Sequence, residues 1–263
     1  MADGGVLARL GEKAAARAAS GRRERPEASL KSEPLYARTP RSLAAALSGP
    51  APRVIAEVKF ASPSEGILRP GASSAEAARL AGAYLDAGAA AVSILTEPEA
   101  FSGDPSYLAS ARSARPEALL LMKDFVVDAW QFALARSIGA DAILLISALL
   151  GPRLPELLAA SRAFGLSALV EVHDEAEAES ALAAGAEVLG VNSRNLRTLK
   201  TDLGVARRLA PFARRAASSV AESGLRSRAD LDELGGLGYT GFLIGTSFMK
   251  TPDPAAALAA LRK

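Results

Sequence analysis

Val54-Ile55-Ala56-Glu57-Val58-Lys59-Phe60 decides how this chain folds, because the segment is apolar at most positions yet carries two charges. A run this short and rich in Val and Ile reads as a strand, and alternate residues of a strand share a face. Glu57 and Lys59 therefore point the same way at its C-terminal end. Seven similar runs follow, giving candidate strands Val54–Phe60, Ala91–Glu97, Leu119–Phe125, Ala142–Ala148, Ser167–His173, Val188–Arg194, Ser218–Gly224 and Gly241–Gly245. Between them lie Ala/Leu/Glu/Arg stretches with helical spacing that mostly close on Gly. Ser74 is read as the cap of the stretch ending at Gly88, while Asp128 and Asp174 open those ending at Gly139 and Gly185. The strand starts are 21 to 37 residues apart, which suits βα units, parallel pairing and right-handed crossovers. Eight such units predict an α/β fold, a closed (β/α)8 TIM barrel over 54–263 as a single catalytic domain.

The first 53 residues fall outside the repeat. They hold an alanine-rich amphipathic stretch, Val6 to Ser20, a polar Pro-containing segment and a short helix candidate, Ser42 to Leu47. We read 1–53 as a helical extension capping one barrel end, with Arg22, Arg23 and Arg25 in a solvated linker.

Composition narrows the chemistry. The chain has 263 residues, 49% of them hydrophobic, which is enough for one large core and excludes disorder. It has no cysteine, so thiolate zinc sites, iron–sulfur clusters and thiol nucleophiles drop out. With His173 as the one histidine, a two-histidine metal motif is excluded as well, and no metal site is expected. The formal net charge is +2, without a basic stripe, so no nucleic-acid partner is expected. The longest apolar stretch, Ala142 to Leu150 with one interruption at Ser147, is read as a buried strand and is well short of the roughly 20 residues that cross a bilayer. No membrane partner is expected. The N-terminus lacks a signal-like apolar region, and Asp3 and Glu12 disfavour a transit peptide, so the expected location is cytoplasmic.

Barrel strands are covered on both sides and should be nearly all apolar, so charges in them need a reason. Glu57 and Lys59 end the first strand, Lys123 the third, Glu171 the fifth, Asn192 and Arg194 the sixth, and Glu222 and Ser223 the seventh. Unpaired, such groups would destabilise a core. Gathered at the C-terminal mouth, where active sites of this fold sit, they can hold an anionic substrate, polarise a carbonyl and move protons. The alternative for any one strand is a half-exposed antiparallel strand with a solvent-facing charge. Ser223-Gly224 and Gly245-Thr246 end the last two strands, where backbone N–H groups commonly receive a phosphate; helix punctuation is the competing reading. Phe125 shares a face with Lys123 and can line the mouth beneath a flat aromatic substrate. His173 is read as a structural hydrogen-bonding group and Trp130 as packing.

The segments IAEVKFASPSEG (55–66), AVSILTEPEAF (91–101), MKDFVVDAWQ (122–131), GADAILLI (139–146), LVEVHDEAE (169–177), GVNSRNLRTLKTDL (190–203), VAESGL (220–225) and LIGTSFM (243–249) together resemble indole-3-glycerol phosphate synthase, the tryptophan-pathway barrel enzyme. The resemblance implies a carbon–carbon lyase that converts 1-(2-carboxyphenylamino)-1-deoxyribulose 5-phosphate into indole-3-glycerol phosphate with release of carbon dioxide and water, without a cofactor. Its catalytic positions match Glu57, Lys59, Lys123, Glu171, Asn192 and Ser223, with Glu222 beside them. Ser62, Gly224, Gly245 and Thr246 match positions at or near the phosphate. Phe125 and Leu144 match the wall around the aromatic ring, and Arg194 a family arginine near the site. The implied partner is a small phosphorylated substrate. A monomer is expected, with weak association with other tryptophan-pathway enzymes left open.

The chain departs from the family at Phe60 and Glu65, where basic residues are usual, at Met122 in place of an arginine, and at Gly71-Ala72-Ser73-Ser74. These departures predict weaker electrostatic capture of the substrate. The rival readings are another phosphate-binding barrel, such as a sugar-phosphate isomerase, and a non-catalytic ligand-binding or scaffolding barrel.

Overall fold

The computed structural model describes residues 5–49, 52–196 and 198–262. Asp3, the 50–51 junction, position 197 within the 190–203 segment and residue 263 lie outside the described residues. All eight expected strands are present: β1 (Arg53–Val58), β2 (Ala91–Leu95), β3 (Leu120–Lys123), β4 (Ala142–Ile146), β5 (Ser167–Val172), β6 (Val188–Asn192), β7 (Ser218–Glu222) and β8 (Gly241–Ile244). They pair in parallel around a closed ring, in which β1 meets both β2 and β8. Each ends one or two residues earlier than the sequence reading, because the chain leaves the hydrogen-bond ladder as it enters the mouth loops.

Alternation along the strands explains the two packed layers. Val54, Ala56, Val92, Ile94, Leu120, Met122, Val170 and Val172 face outward into the core shared with the helices. Ile55, Ala91, Leu121, Ala142, Leu144, Leu169, Val188 and Val220 face inward and fill the barrel. Parallel strands covered on both sides need apolar residues at both parities, as these have.

Several local expectations change. Ala142 to Leu150 is not one strand: β4 stops at Ile146 and a short helix, Ser147–Leu150, follows at once. Apolarity marks burial, and an apolar run can be shared between a strand and a buried helical turn. The helix Ser74–Asp86 is capped by Ser73, whose side chain accepts from the Glu76 N–H, while Ser74 is its first residue. Asp128 accepts from the Trp130 N–H at 2.8 Å at the start of the helix Trp130–Ser137, and Asp174 caps Glu175–Ala183. A two-strand hairpin, Ala61–Ser62 with Gly66–Ile67, follows β1 and has no apolar signature of its own.

The N-terminal segment reaches both ends of the barrel, not one. Helix α1 (Val6–Glu24) lies on the mouth side, where Arg17 pairs with Asp124 just beyond β3. The helix Leu43–Leu47 lies against the opposite end: the Leu43 N–H donates to Ser167 Oγ at 3.1 Å, and Ser218 Oγ donates to the Ala44 carbonyl at 3.2 Å. Arg22 and Arg23 sit in the last turn of α1, where cations meet the negative end of the helix dipole, and Arg22 pairs with Asp128. That run is a helix terminus and not a linker. Trp130 packs as expected, against Ala18 and Leu30, with its indole N–H donating to the Arg25 carbonyl at 2.8 Å.

Candidate active site

The strand ends at the C-terminal face enclose a cavity of about 470 Å³. Glu57, Lys59, Lys123, Glu171, Asn192, Glu222 and Ser223 line it together with Phe125, Leu144, Arg194, Gly224, Gly245 and Thr246. Ser62 is the exception: it lines a smaller side cavity of about 90 Å³, bounded also by Leu7, Leu10 and Lys59. That side cavity adjoins the main one, sharing Lys59, Phe125, Arg194 and Thr246 with it, and the Ser62 hydroxyl lies 3.4 Å from that of Ser64.

The ionic core is built across the barrel. Lys59 Nζ lies 2.6 Å from Glu57 Oε1, the same-face pair expected from β1. Lys123, at the end of β3, reaches 3.2 Å from Glu222 Oε2 on β7 and 3.5 Å from Glu171 Oε2 on β5. In the ring order β3 and β7 are four strands apart, so Lys123 bridges opposite walls. The three glutamates are each 2% exposed. Burial alone would lower the Lys123 pKa, but Glu222 and Glu171, with Glu57 behind them, outweigh it and raise it, so the ammonium persists at neutral pH. Burial also pushes both partner carboxyls up. For Glu171, Lys123 and His173 overcome it and the net direction is down. For Glu222, Lys123 does not overcome it, Glu171 and Glu57 add repulsion, and the net direction is up. The site thus carries one carboxylate fixed as the ion and one able to hold a proton.

Small residues make this arrangement possible. A side-chain carbon at Gly190 would fall 2.2 Å from Glu222 Oε1, and one at Gly245 would fall 2.4 Å from Glu57 Oε1. Glycine on β6 and after β8 leaves the volume that the carboxylates occupy. Ser223 (φ +65°) and Gly224 (φ +85°) are consecutive left-handed residues. That conformation costs an L-residue roughly 1–2 kcal/mol and recurs at functional sites. Gly224 is doubly required, since a side-chain carbon there would come 2.7 Å from Thr201 Cγ2.

The cavity is divided by polarity. Leu95, Phe101, Phe125, Leu144 and Ile146 form an apolar wall along β2 to β4, with the Phe101 and Phe125 rings 6.2 Å apart. Opposite, beyond β7 and β8, lie Ser223, Gly224, Gly245, Thr246, Arg226 and Lys250. Asn192 Oδ1 accepts from the Arg194 N–H at 2.9 Å, and the Arg194 guanidinium donates to Ser64 Oγ and the Leu199 carbonyl. His173 lies behind Glu171, outside the cavity lining, consistent with a structural reading.

Sequence reasoning missed Phe101, Leu196, Arg226 and Lys250, which lie beyond the strands, Phe101 in the short helix Pro98–Phe101, with no strand-end polarity to mark them. Of the departures from the family, only Glu65 borders the main cavity, where it pairs with Lys250 at 2.6 Å. Met122 is buried on the outer face of β3, and Phe60 packs edge-on against Tyr107. Neither borders the main cavity. Gly71 to Ser74 serve to enter and cap the following helix.

The family model described as indole-3-glycerol phosphate synthase matches residues 7–261. A curated relative from Streptomyces coelicolor, named indole-3-glycerol phosphate synthase 2, is 45% identical over 258 residues, covering 98% of each chain. One from Deinococcus radiodurans, named indole-3-glycerol phosphate synthase, is 49% identical over 211 residues, covering 79% of this chain and 77% of its own. Among solved structures, 3-hexulose-6-phosphate synthase from Salmonella typhimurium superposes with a TM-score of 0.65 at 14% identity, covering 80% of this chain and 97% of its own. That likeness shows the fold alone.

Proposed function

The chain belongs to the indole-3-glycerol phosphate synthase family, and from that premise we propose how the residues of its mouth divide the reaction. The enzyme is a carboxy-lyase of tryptophan biosynthesis: it closes the pyrrole ring of 1-(2-carboxyphenylamino)-1-deoxyribulose 5-phosphate, expels carbon dioxide and then water, and yields indole-3-glycerol phosphate. The observation that carries the assignment of roles is the placement of Lys123 Nζ between two buried glutamates from other strands, 3.2 Å from Glu222 and 3.5 Å from Glu171.

The substrate lies across the cavity, its ring against Phe125 and Leu144 and its phosphate toward Gly224, Gly245 and Thr246, with Ser62 near that end. Lys123 protonates the ketone oxygen as the ring carbon bearing the carboxylate attacks the ketone carbon. Lys59, positioned by Glu57, pairs with that carboxylate until the carbon–carbon bond breaks and carbon dioxide leaves, which restores the aromatic ring. In the dehydration Glu171 accepts a proton while a lysine assists departure of the hydroxide. Asn192, Ser223, Arg194 and Glu222 orient the hydroxyl and carboxylate groups. No step requires a cofactor. Residues 1–53 act as an extension of one catalytic barrel, 54–263, and the protein works as a cytoplasmic monomer, with weak contact to other enzymes of the pathway open to test. No described helix is long and apolar enough to cross a membrane.

Stopped-flow kinetics on Lys123→Met and Lys59→Met test the roles. Each is expected to lose at least about 10²-fold in kcat, the low end for general acid–base catalysis. If neither does, the assignment fails. Indole fluorescence on adding the substrate excludes the isomerase and non-catalytic readings.

A further inference from the structure

The Glu171–Lys123–Glu222 cluster is nearly symmetric about its lysine: two buried glutamates from β5 and β7 present one oxygen each to the same ammonium. What breaks the symmetry stands behind it. His173 Nε2 lies 3.3 Å from Glu171 Oε1, the oxygen not facing Lys123. The other imidazole nitrogen, Nδ1, is 3.2 Å from Glu177 Oε2, and the same oxygen accepts the His173 backbone N–H at 2.9 Å. Glu177, in the first turns of the helix Glu175–Ala183, therefore grips both the ring and the main chain of His173. Glu222 has no such backing, and its Oε1 is buried without a partner.

We propose that His173, gripped by Glu177, is a positioning residue that keeps Glu171 the ionised carboxylate of the cluster and leaves Glu222 to carry the proton. This rests on the reading of Glu171 as the proton acceptor given above. An imidazole with a carboxylate at each nitrogen is held as the imidazolium, and an imidazolium against Glu171 favours its anion. The other groups facing Glu171 are Lys123 from β3, the Asn192 amide from β6 and Glu222 from β7, which repels it directly, while Glu57 bears on the shared Lys123. The helix Ser147–Leu150, packed against β5, brings no titratable group. Two carboxyls in one pocket are thereby assigned different protons by a residue that touches no substrate.

The chain has one histidine, so its imidazole nitrogens are read without assignment ambiguity by two-dimensional proton–nitrogen NMR of the whole enzyme. His173 is expected to stay doubly protonated at pH 8 and to lose that proton more readily in Glu177→Gln. A ring titrating near its ordinary value, about 6.5, would overturn the proposal, and this readout does not depend on turnover. The kinetic arm is the pH profile of kcat. In Glu177→Gln and His173→Gln the acidic limb is expected to move up by about one pH unit, a tenfold change in the proton affinity of the base. Variants that lose stability while the limb stays in place would show His173 to be structural only. Failure of the Lys123→Met test with the NMR result intact would instead overturn the mechanistic reading alone.

Discussion

The two ends of the barrel both bury ions, but they treat them differently. At the N-terminal end Asp141 is fully buried and saturated: it accepts from Arg38 and Arg112 side chains at 2.5 Å each, from the Arg41 N–H at 2.8 Å and from the Leu120 N–H at 2.9 Å. Arg112, equally buried, also donates to the carbonyls of Gly139, Pro116 and Ala118. Arg38 Nε is the only buried side-chain atom of this group left without a partner among the described residues. At the mouth, Glu57 and Glu222 each keep a buried oxygen with no partner. A buried charge whose acceptors are all filled fixes structure, and one with an open lone pair is ready for something else. The Asp141 cluster ties the segment around Arg38 and Arg41 to the barrel floor, and the glutamates wait for substrate.

Substitutions that exchange these roles sharpen the contrast. Lys123→Met should have the largest effect, losing about 10² to 10⁴-fold in kcat. Its folding stability, followed by denaturant titration, should change less, since Glu222 already tends to hold a proton and so leaves one carboxylate, not two, without its cation. Asp141→Ala should do the reverse, costing about 3–5 kcal/mol of stability by stranding Arg112 and Arg38, with kcat of the folded fraction nearly unchanged. Loss of turnover at full occupancy of the folded state would break the division of labour between the ends.

A smaller effect is expected from Gly245→Ala, which drives a methyl group toward Glu57, and from Gly190→Ala, which does so toward Glu222. Overpacking of this kind costs about 1–3 kcal/mol, and here it should appear with a disproportionate fall in kcat. The last concerns pH. Burial lowers the His173 pKa, but Glu171 and Glu177 more than offset this and raise it to about 10. The imidazolium therefore contributes stability that is fully present below the unfolded value, about 6.5, and is lost as pH rises through about 10. Melting temperatures of the wild type and His173→Gln between pH 6 and 10 should converge at the alkaline end.

The eight strands were legible because a parallel barrel imposes apolar residues at both parities, and few other folds do so eight times in one chain. The polar strand ends were legible for the complementary reason, that charge inside such a pattern demands a use. The loops were not. Nothing in Phe101, Leu196, Arg226 or Lys250 distinguishes them from ordinary residues of the connections until these are folded over the mouth, and nothing in Ser62 says that it lines a side cavity and not the main one. The extension likewise gave no sign that it spans from mouth to floor, since an amphipathic face records that something is buried and not against what.

Local pattern, then, was sufficient for most of what depends on near neighbours along the chain: strand periodicity, the Glu57–Lys59 pair, the Asp174 cap, and the parity that divides the inner layer from the outer. Closure of the ring decided the rest. Only the closed barrel brings Lys123 within reach of carboxylates 48 and 99 residues away in sequence, and only its packing gives two chemically identical glutamates, Glu171 and Glu222, opposite tendencies to hold a proton. Proton affinity is set by burial and by the charges within a few ångströms, and no linear order of residues contains those distances.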